Sequence, residues 1–132
     1  MSDDSPINSA VRARFINARM SELWAPSEPD VLTGRAGSMA QEAEVLIQVR
    51  MGAEGQVVDT RYRVYGCPFT IAAVVLACER LVGLTAEELT RFRGLDLADA
   101  LTFPAEKRGV ALTVEDAVHA LVTESSPCVG PR

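Results

Sequence analysis

The stretch YGCPFTIAAVVLACERLVG, residues 65–83, carries the strongest structural signal in this 132-residue chain. It begins at the end of a strand-like run and turns at Gly66. It then continues as an apolar segment that opens with Pro68, a residue suited to the first position of a helix. Because the segment is apolar on nearly every side of a helix, we predict that it forms the buried centre of the core and ends at Gly83.

Strand-like segments precede this helix. The run Val45–Met51 alternates between apolar and more polar residues, and after the turn residues Gly52–Gly55 the run Val58–Tyr65 alternates in the same way. This pattern predicts a β-hairpin. The segment Val31–Ser38 is predicted as a further strand, although its two glycines are atypical of a strand interior.

Periodicity and capping patterns predict the remaining helices. Thr85 followed by Glu88 is a capping-box pattern that starts one helix, and Thr113 followed by Asp116 is a weaker form of the same pattern. Amphipathic spacing predicts another helix near the beginning of the chain. The predicted segments are Asn8–Trp24, Ala86–Phe92, Asp96–Leu101 and Val114–Glu124.

Since the strands come first and the helices follow, we predict an α+β fold. Its sheet is small, antiparallel and three-stranded, with the helices packed on one face. The length suits one domain spanning residues 1–132. We expect its core at about 8–124 and a flexible tail at 125–132, where the sequence is short, polar and proline-bearing.

Composition excludes several classes of function. The net charge of -5 gives no basic surface for nucleic acid or an anionic membrane. The longest apolar stretch is shorter than the roughly 20 residues that a membrane-spanning helix needs. The first residues lack the charged and apolar regions of a secretory signal, so we expect a cytoplasmic protein. Common catalytic motifs are missing from the sequence, and we predict that the chain is not an enzyme.

Cys67 is the most informative candidate for chemistry. It stands at the N-cap position of the predicted central helix, where unpaired N–H groups and the helix dipole stabilise a thiolate. These surroundings favour a metal ligand or a nucleophile. The alternative is a small, partly buried residue that fills a tight turn, because no histidine stands nearby in the sequence to act as a base.

Three other residues are assigned no function from the sequence. Cys78 lies within the apolar helix and is predicted to be a core residue. Cys128 lies in the predicted tail and is interpreted as an incidental thiol. His119 is the only histidine, and its apolar neighbours favour a structural or surface position.

Several short motifs resemble those of the iron-sulfur cluster assembly scaffold family, the type represented by IscU and the N-terminal domain of NifU. The similarity runs from about Phe15 to Leu121 and covers most of the domain. FINAR at 15–19 resembles the family's F-x-N-P-R, and YGC at 65–67 resembles its FGC. GLTAEEL at 83–89 resembles its GKTLEE, FPAEK at 103–107 its LPPVK, and VEDA at 114–117 its AEDA.

The resemblance implies a metal site that this chain has largely lost. The family holds its cluster with three cysteines, an aspartate after the first and a histidine before the third. Alignment places the first cysteine at Met39 or Ala40 and the aspartate at Gln41 or Glu42. The second cysteine corresponds to Cys67, while the histidine and the third cysteine correspond to Gly109 and Val110. Only one thiolate ligand remains, so cluster assembly on a single chain is not expected.

The resemblance therefore implies a scaffold-like protein of iron-sulfur cluster assembly with a degenerate site that retains Cys67. Its implied cargo is an iron-sulfur cluster or iron, and its implied partners are a cysteine desulfurase and a chaperone. By likeness to the chaperone-binding motif, Phe103, Pro104 and Lys107 are candidate partner-docking residues.

Three alternatives stay open at this stage. The first is an interaction or regulatory protein of the same fold that docks assembly partners without binding a cluster. The second is redox or persulfide transfer through Cys67 alone. The third is a homodimer in which two copies of Cys67 share one cluster.

Overall fold

The computed structural model describes residues 8–16, 18, 20, 22–25, 27–38 and 43–123. In this part of the chain a short helix leads to three strands, after which helices follow to the end. The elements are α1 Ser9–Ile16, β1 Val31–Ser38, β2 Ala43–Met51, β3 Val57–Tyr65, α2 Pro68–Leu81, α3 Ala86–Thr90, α4 Gly94–Ala100 and α5 Arg108–Thr123. A 3-10 turn, Ala105–Lys107, leads directly into α5.

The three strands form one antiparallel sheet in the order β1-β2-β3. Val45, Ile47 and Val49 of β2 are buried on the inner face, where α5 packs against β1 and β2 while α2 packs against β3. The predicted α+β fold, with a three-stranded antiparallel sheet and helices on one face, is confirmed. The three predicted strands are confirmed as well, including the glycine-containing Val31–Ser38.

An irregularity between Arg50 and Met51 changes the predicted alternation of β3. Asp59 pairs with Arg50 and Val57 pairs with Met51, so Val58 is an extra residue between two paired positions. Such a bulge reverses the face on which the preceding side chain lies. Val57 is therefore buried whereas Val58 is exposed.

The central helix is confirmed as the middle of the core. Most side chains of α2 are buried, and the helix packs against the sheet, α1, α4 and α5. The capping box that begins α3 is also confirmed. The Glu88 backbone N–H donates to the Thr85 hydroxyl, and the Thr85 N–H donates to the Glu88 carboxylate.

The predicted start of the last helix at Val114 is wrong, because α5 begins six residues earlier, at Arg108. The 3-10 turn after Pro104 already supplies the first turn of this helical segment, so no cap is needed at Thr113. Thr113 lies inside α5. The part of the prediction beyond Thr123 lies outside the described residues.

The predicted first helix is too long, because α1 ends at Ile16 and the described residues 22–25 are not helical. The Trp24 backbone instead pairs with the Gln48 side chain: its N–H donates to Oε1 at 2.8 Å, and its carbonyl accepts from Nε2 at 3.0 Å. The Trp24 ring lies 4.8 Å from the Arg50 guanidinium and 4.3 Å from that of Arg61. These contacts hold Trp24 on the outer face of the sheet and bury Gln48 to 2% exposure.

In the described part of the chain, no helix combines the length and the apolar character needed to cross a membrane. The domain limits 1–132 and the flexibility of residues 125–132 stay predictions, since both ends of the chain lie outside the described residues.

Gly34 sets the distance between α5 and the sheet. A Cβ atom at this position would press into the carbonyl oxygen of Ala117 and would lie 2.7 Å from the backbone nitrogen of Leu121. Both atoms belong to the backbone of α5, so no side chain can rotate away to make room. The glycine in β1 therefore marks a close approach of two backbones and does not interrupt the strand.

We predict that Gly34→Ala destabilises the protein by about 1–3 kcal/mol or more, because α5 must move away from the sheet to admit the methyl group. The measurement is the free energy of unfolding in urea. Gly109→Ala is the matched control, since a Cβ there meets nothing within 4 Å and the position is helical. That variant is expected to keep or gain stability, by up to about 1 kcal/mol. Equal stability of the Gly34 and Gly109 variants would contradict the assignment of Gly34.

Candidate functional site

Cys67 is positioned by a strand, a glycine turn and a helix in direct succession. β3 ends at Tyr65, Gly66 makes the turn, and Cys67 is the N-cap residue of α2, followed by Pro68 at the first helical position. A Cβ atom at Gly66 would lie 2.9 Å from the buried Thr70 side chain, so a larger residue would displace either the turn or the first turn of α2. This arrangement fixes the thiol at one end of the sheet.

Two polar side chains contact the half-buried Cys67 sulfur. The Thr70 Oγ1 atom lies 3.5 Å from Sγ, one helical turn further along α2. The Lys107 Nζ atom lies 3.8 Å from Sγ and donates to it from the 3-10 turn before α5. Lys107 is the only lysine in the 132-residue sequence. The tertiary structure therefore places the chain's single ammonium side chain beside its N-cap thiol.

The pKa of Cys67 is lowered by this environment. Partial burial is the largest single influence and acts to raise the pKa, because it disfavours the charged thiolate. Hydrogen bonds from the Thr70 hydroxyl and from the backbone N–H groups of Thr70 and Phe69, together with the Lys107 charge, outweigh it. Cys67 is thus a thiolate at a lower pH than an ordinary cysteine.

The three predicted docking residues differ in accessibility. Phe103 is only 6% exposed and packs edge-to-face on Phe69, with 5.3 Å between ring centroids. Pro104 and Lys107 are half-buried, and the Lys107 ammonium also lies 5.5 Å from the centre of the Phe69 ring. Phe103 thus anchors the segment, while Pro104 and Lys107 remain accessible at its surface. Their role in docking stays a prediction.

Gly109 and Val110 lie in the first turn of α5, which begins at Arg108, the residue after Lys107. Gly109 is exposed, and Val110 packs partly against the core. Neither side chain can supply a ligand to iron, so the positions that the resemblance assigns to a histidine and a cysteine hold no donor atom of that kind.

The other end of the predicted ligand set lies outside the described residues. This concerns Met39, Ala40, Gln41 and Glu42, of which the structure gives no account. The strand ends beside them are informative, since Ser38 pairs with Ala43 and Glu44 pairs with Tyr65. These strand ends share the end of the sheet at which Cys67 lies. Within the described residues, no group of three or more cysteine, histidine, aspartate or glutamate side chains is placed to hold a metal ion.

In the described part of the chain, the other thiol and the histidine do not join this site. Cys78 is buried in α2, and burial raises its pKa to about 12, so it stays a neutral thiol; its prediction as a core residue is confirmed. His119 is half-buried and lies 2.9 Å from the carbonyl oxygen of Phe92, a contact that ties α5 to the segment after α3. Cys128 lies outside the described residues.

Sequence reasoning missed Thr70 and the contact between Lys107 and Cys67. Thr70 could have been found from its spacing, because a side chain three residues after an N-cap lies over the same turn. The Lys107 contact had no local indication, since 40 residues separate the two side chains. The presence of a single lysine in the chain was the one available hint.

Comparison with known proteins identifies the family. The model of the NifU-like N terminal domain matches residues 9–126. The chain belongs to this family. The predicted relationship to the iron-sulfur cluster assembly scaffolds is thereby confirmed.

Relatives of similar length are proteins named for this process. The chain is 32% identical over 97 residues to the iron-sulfur cluster assembly scaffold protein IscU of Azotobacter vinelandii, a match that covers 74% of this chain and 76% of the relative. It is 28% identical over 110 residues to IscU of Escherichia coli K12, with 83% and 86% covered. It is also 29% identical over 110 residues to iron-sulfur cluster assembly protein 2 of Arabidopsis thaliana, with 83% and 68% covered.

Solved structures share the fold. The N-terminal part of a NifU-like protein from Brucella abortus matches with a TM-score of 0.65 at 20% identity, covering 91% of this chain and 94% of the other. A SufU-type protein from Fervidobacterium islandicum, described as a putative scaffold, matches with a TM-score of 0.61 at 13% identity, covering 88% and 96%. At these identities the two structures support the architecture alone.

We predict that alkylation of Cys67 by iodoacetamide rises with pH at a midpoint below the roughly 8.5 of an ordinary cysteine. Lys107→Met and Thr70→Val should each move the midpoint upward, because each removes a group that stabilises the thiolate. The Thr70 variant should move it further, since its hydrogen bond outweighs the lysine charge. The measurement is the alkylation rate against pH, followed by mass spectrometry.

The background for this experiment is Cys128→Ser, so that Cys67 is the titrating thiol near neutral pH. Arg91→Met serves as the matched control for the loss of a positive charge, because Arg91 is exposed and paired with Glu87. An unchanged midpoint in both the Lys107 and Thr70 variants would refute the assigned environment.

Proposed function

We propose that this chain takes part in iron-sulfur cluster assembly and that it contacts its cargo through one thiolate, Cys67. The observation that carries the proposal is the environment of that thiol. It lies half-buried at the start of α2 with a lowered pKa, and Lys107 lies 3.8 Å away. Family membership supports the pathway, because the relatives compared above are named as cluster assembly proteins.

The number of ligands determines how cargo would be held. A simple iron-sulfur cluster takes four thiolate ligands from protein. In the described part of the chain, Cys67 is the thiol accessible enough to contact cargo, since Cys78 is buried. We therefore propose that an iron-sulfur cluster or iron is bound jointly by Cys67 and ligands from another molecule, so that residence on this chain is brief.

The proposal includes the partners and the compartment. A cysteine desulfurase would supply sulfur, and a chaperone would dock at Pro104 and Lys107, which remain accessible beside the cargo thiol. We propose that sulfur supply and chaperone docking both take place in the cytoplasm. The chain itself carries cargo and performs no turnover, so we propose that it is not an enzyme.

Acceptance of sulfur from a partner's persulfide is a second candidate function. The ammonium of Lys107 favours it, because a positive charge beside the sulfur stabilises the attacking thiolate and the anionic product. The Cys67 thiolate attacks the outer sulfur of the persulfide, and a new S–S bond forms on Cys67. The partner's S–S bond breaks and the partner leaves as a thiolate, so one S–S bond replaces another without net oxidation or reduction.

A protein of this fold that docks assembly partners and binds no cargo is the alternative left open by the sequence. No contact described above favours it over a cargo-binding role. It is therefore the outcome that the following experiment must exclude.

We predict that anaerobic incubation with ferric iron, sulfide and excess dithiothreitol, whose thiolates supply the ligands that this chain lacks, gives the desalted protein visible absorption, and that Cys67→Ser abolishes it. Val110→Cys should retain more iron after gel filtration, because it adds a thiolate in the first turn of α5, at the position that the resemblance assigns to the third cysteine. The measurements are the visible spectrum and the iron content per chain.

Leu112→Cys is the matched control, since it adds a thiol to α5 at an exposed position outside that first turn. It should behave as the unmodified protein. A colourless product from the unmodified chain would remove the cargo-binding role. In that case a persulfide assay with Cys67→Ser as the blank would test sulfur acceptance separately.

A further inference from the structure

A groove of about 370 Å³ lies on the outer face of the sheet, at the end where Cys67 is located. Its lining includes Met20, Arg35, Glu44, Leu46, Arg63 and Tyr65. This face is opposite to the one that α2 and α5 cover, and it is separate from the Trp24 contact further along β2. Neither cargo binding at Cys67 nor partner docking at Pro104 and Lys107 involves this groove.

Strand register explains the arrangement of the lining. Arg35 of β1 pairs with Leu46 of β2, which pairs in turn with Arg63 of β3, so the three side chains share one row on the outer face. The two arginines stand two strand spacings apart, about 10 Å, with an apolar side chain between them. Glu44 and Tyr65 form the next row toward the strand ends.

The groove combines exposed apolar surface with positive charge. Met20 and Tyr65 are each 52% exposed, which is high for large apolar side chains that lie against the same cavity. Arg35 and Arg63 are also exposed, while Glu44 is the acidic residue of the lining. The chain as a whole carries 18 acidic and 13 basic residues, so this row is opposite in sign to the net charge of the protein.

We propose that this groove docks an extended acidic segment of a partner protein, with one large apolar side chain over Leu46 and flanking carboxylates on Arg35 and Arg63. An arginine can bind a carboxylate through two parallel hydrogen bonds, which gives geometric selectivity as well as attraction. The apolar side chain would cover the exposed surfaces of Met20 and Tyr65. Such a mixture of aromatic, methionine and arginine side chains is typical of protein interfaces.

The position of the groove relates docking to the thiol of Cys67. Tyr65 ends β3, and Cys67 follows after one glycine, so a segment bound over Tyr65 lies at the same end of the sheet as the thiol. A partner held there would keep its own reactive group near Cys67. This consequence rests on the proposed function, whereas binding in the groove needs neither cargo nor a reactive thiol.

The test uses the metal-free, full-length protein labelled with ¹⁵N and three synthetic peptides. The peptide GSESFSESG places Glu, Phe and Glu on one side when it is extended. GSKSFSKSG reverses the charge, and GSESSSESG lacks the apolar side chain. We expect saturable amide shifts at Leu46, Arg63 and Tyr65 with the first peptide, and markedly weaker binding of the other two.

Variants then assign the binding to the groove. Arg35→Glu with Arg63→Glu should weaken binding of the first peptide by about tenfold or more, and Leu46→Ser should weaken it on its own. Arg80→Glu with Arg93→Glu is the matched control, because both arginines are exposed and lie on the helical side of the protein. Amide spectra of each variant check that the fold is kept, and the comparison of peptides on the unmodified protein needs no variant.

Several results would overturn the proposal. They are amide shifts located away from the groove, equal binding of the three peptides, and no saturation at millimolar peptide. An equal loss of binding of the first peptide in the Arg35→Glu/Arg63→Glu and Arg80→Glu/Arg93→Glu variants would also overturn it. Because no iron or sulfide is present, failure here leaves the reconstitution experiment unaffected, and failure of reconstitution leaves peptide binding unaffected.

Discussion

The close contact between α5 and β1 at Gly34 sets the position of the last helix, and the packing of the core follows from it. With no side chain on that residue, the backbone of α5 near Ala117 and Leu121 rests directly against the strand. The distance between α5 and the sheet is therefore fixed, and α5 packs against α2 on the same side of the sheet. Since the 3-10 turn joins α5 without a break, the same contact decides where Lys107 lies.

The chemistry at Cys67 is a balance between burial and polar contacts. Burial alone would keep this thiol neutral, as it does for Cys78 about three helical turns further along α2. At Cys67 the open N–H groups of the first turn of α2, the Thr70 hydroxyl and the Lys107 ammonium reverse that preference. The result is a thiol that ionises at a lower pH than an ordinary cysteine and that has no neighbouring thiol in the described residues. Such a site suits brief contact with cargo better than storage.

The two faces of the sheet carry different kinds of interaction. The inner face is apolar and is covered by helices, so it stabilises the fold. The outer face is polar and carries arginines, with Trp24 held over Gln48 in its middle and the groove beyond it. Both the groove and Cys67 lie at the end of the sheet where β3 stops. The two proposed functional features therefore share one end of the sheet, because the strand, the turn and the first helical turn follow one another without a break.

The elements whose causes are local could be predicted from the amino-acid sequence. Alternation predicted the hairpin, capping residues predicted α3, and the continuous apolar run after Cys67 predicted the buried helix. Ordered short motifs also identified the family and singled out Cys67. Each of these depends on residues that are neighbours along the chain, so one sequence is enough to recognise them.

The features that join distant residues became visible in the folded chain and not in the sequence. The pairing of Trp24 with Gln48 joined the segment before β1 to the sheet, and the turn after Pro104 started α5 before its expected cap. The bulge at Val58 reversed one side chain, and the contact of Lys107 with Cys67 united segments 40 residues apart. Register across three strands brought Arg35, Leu46 and Arg63 into one row. Such contacts depend on how the chain closes on itself, which no local pattern encodes.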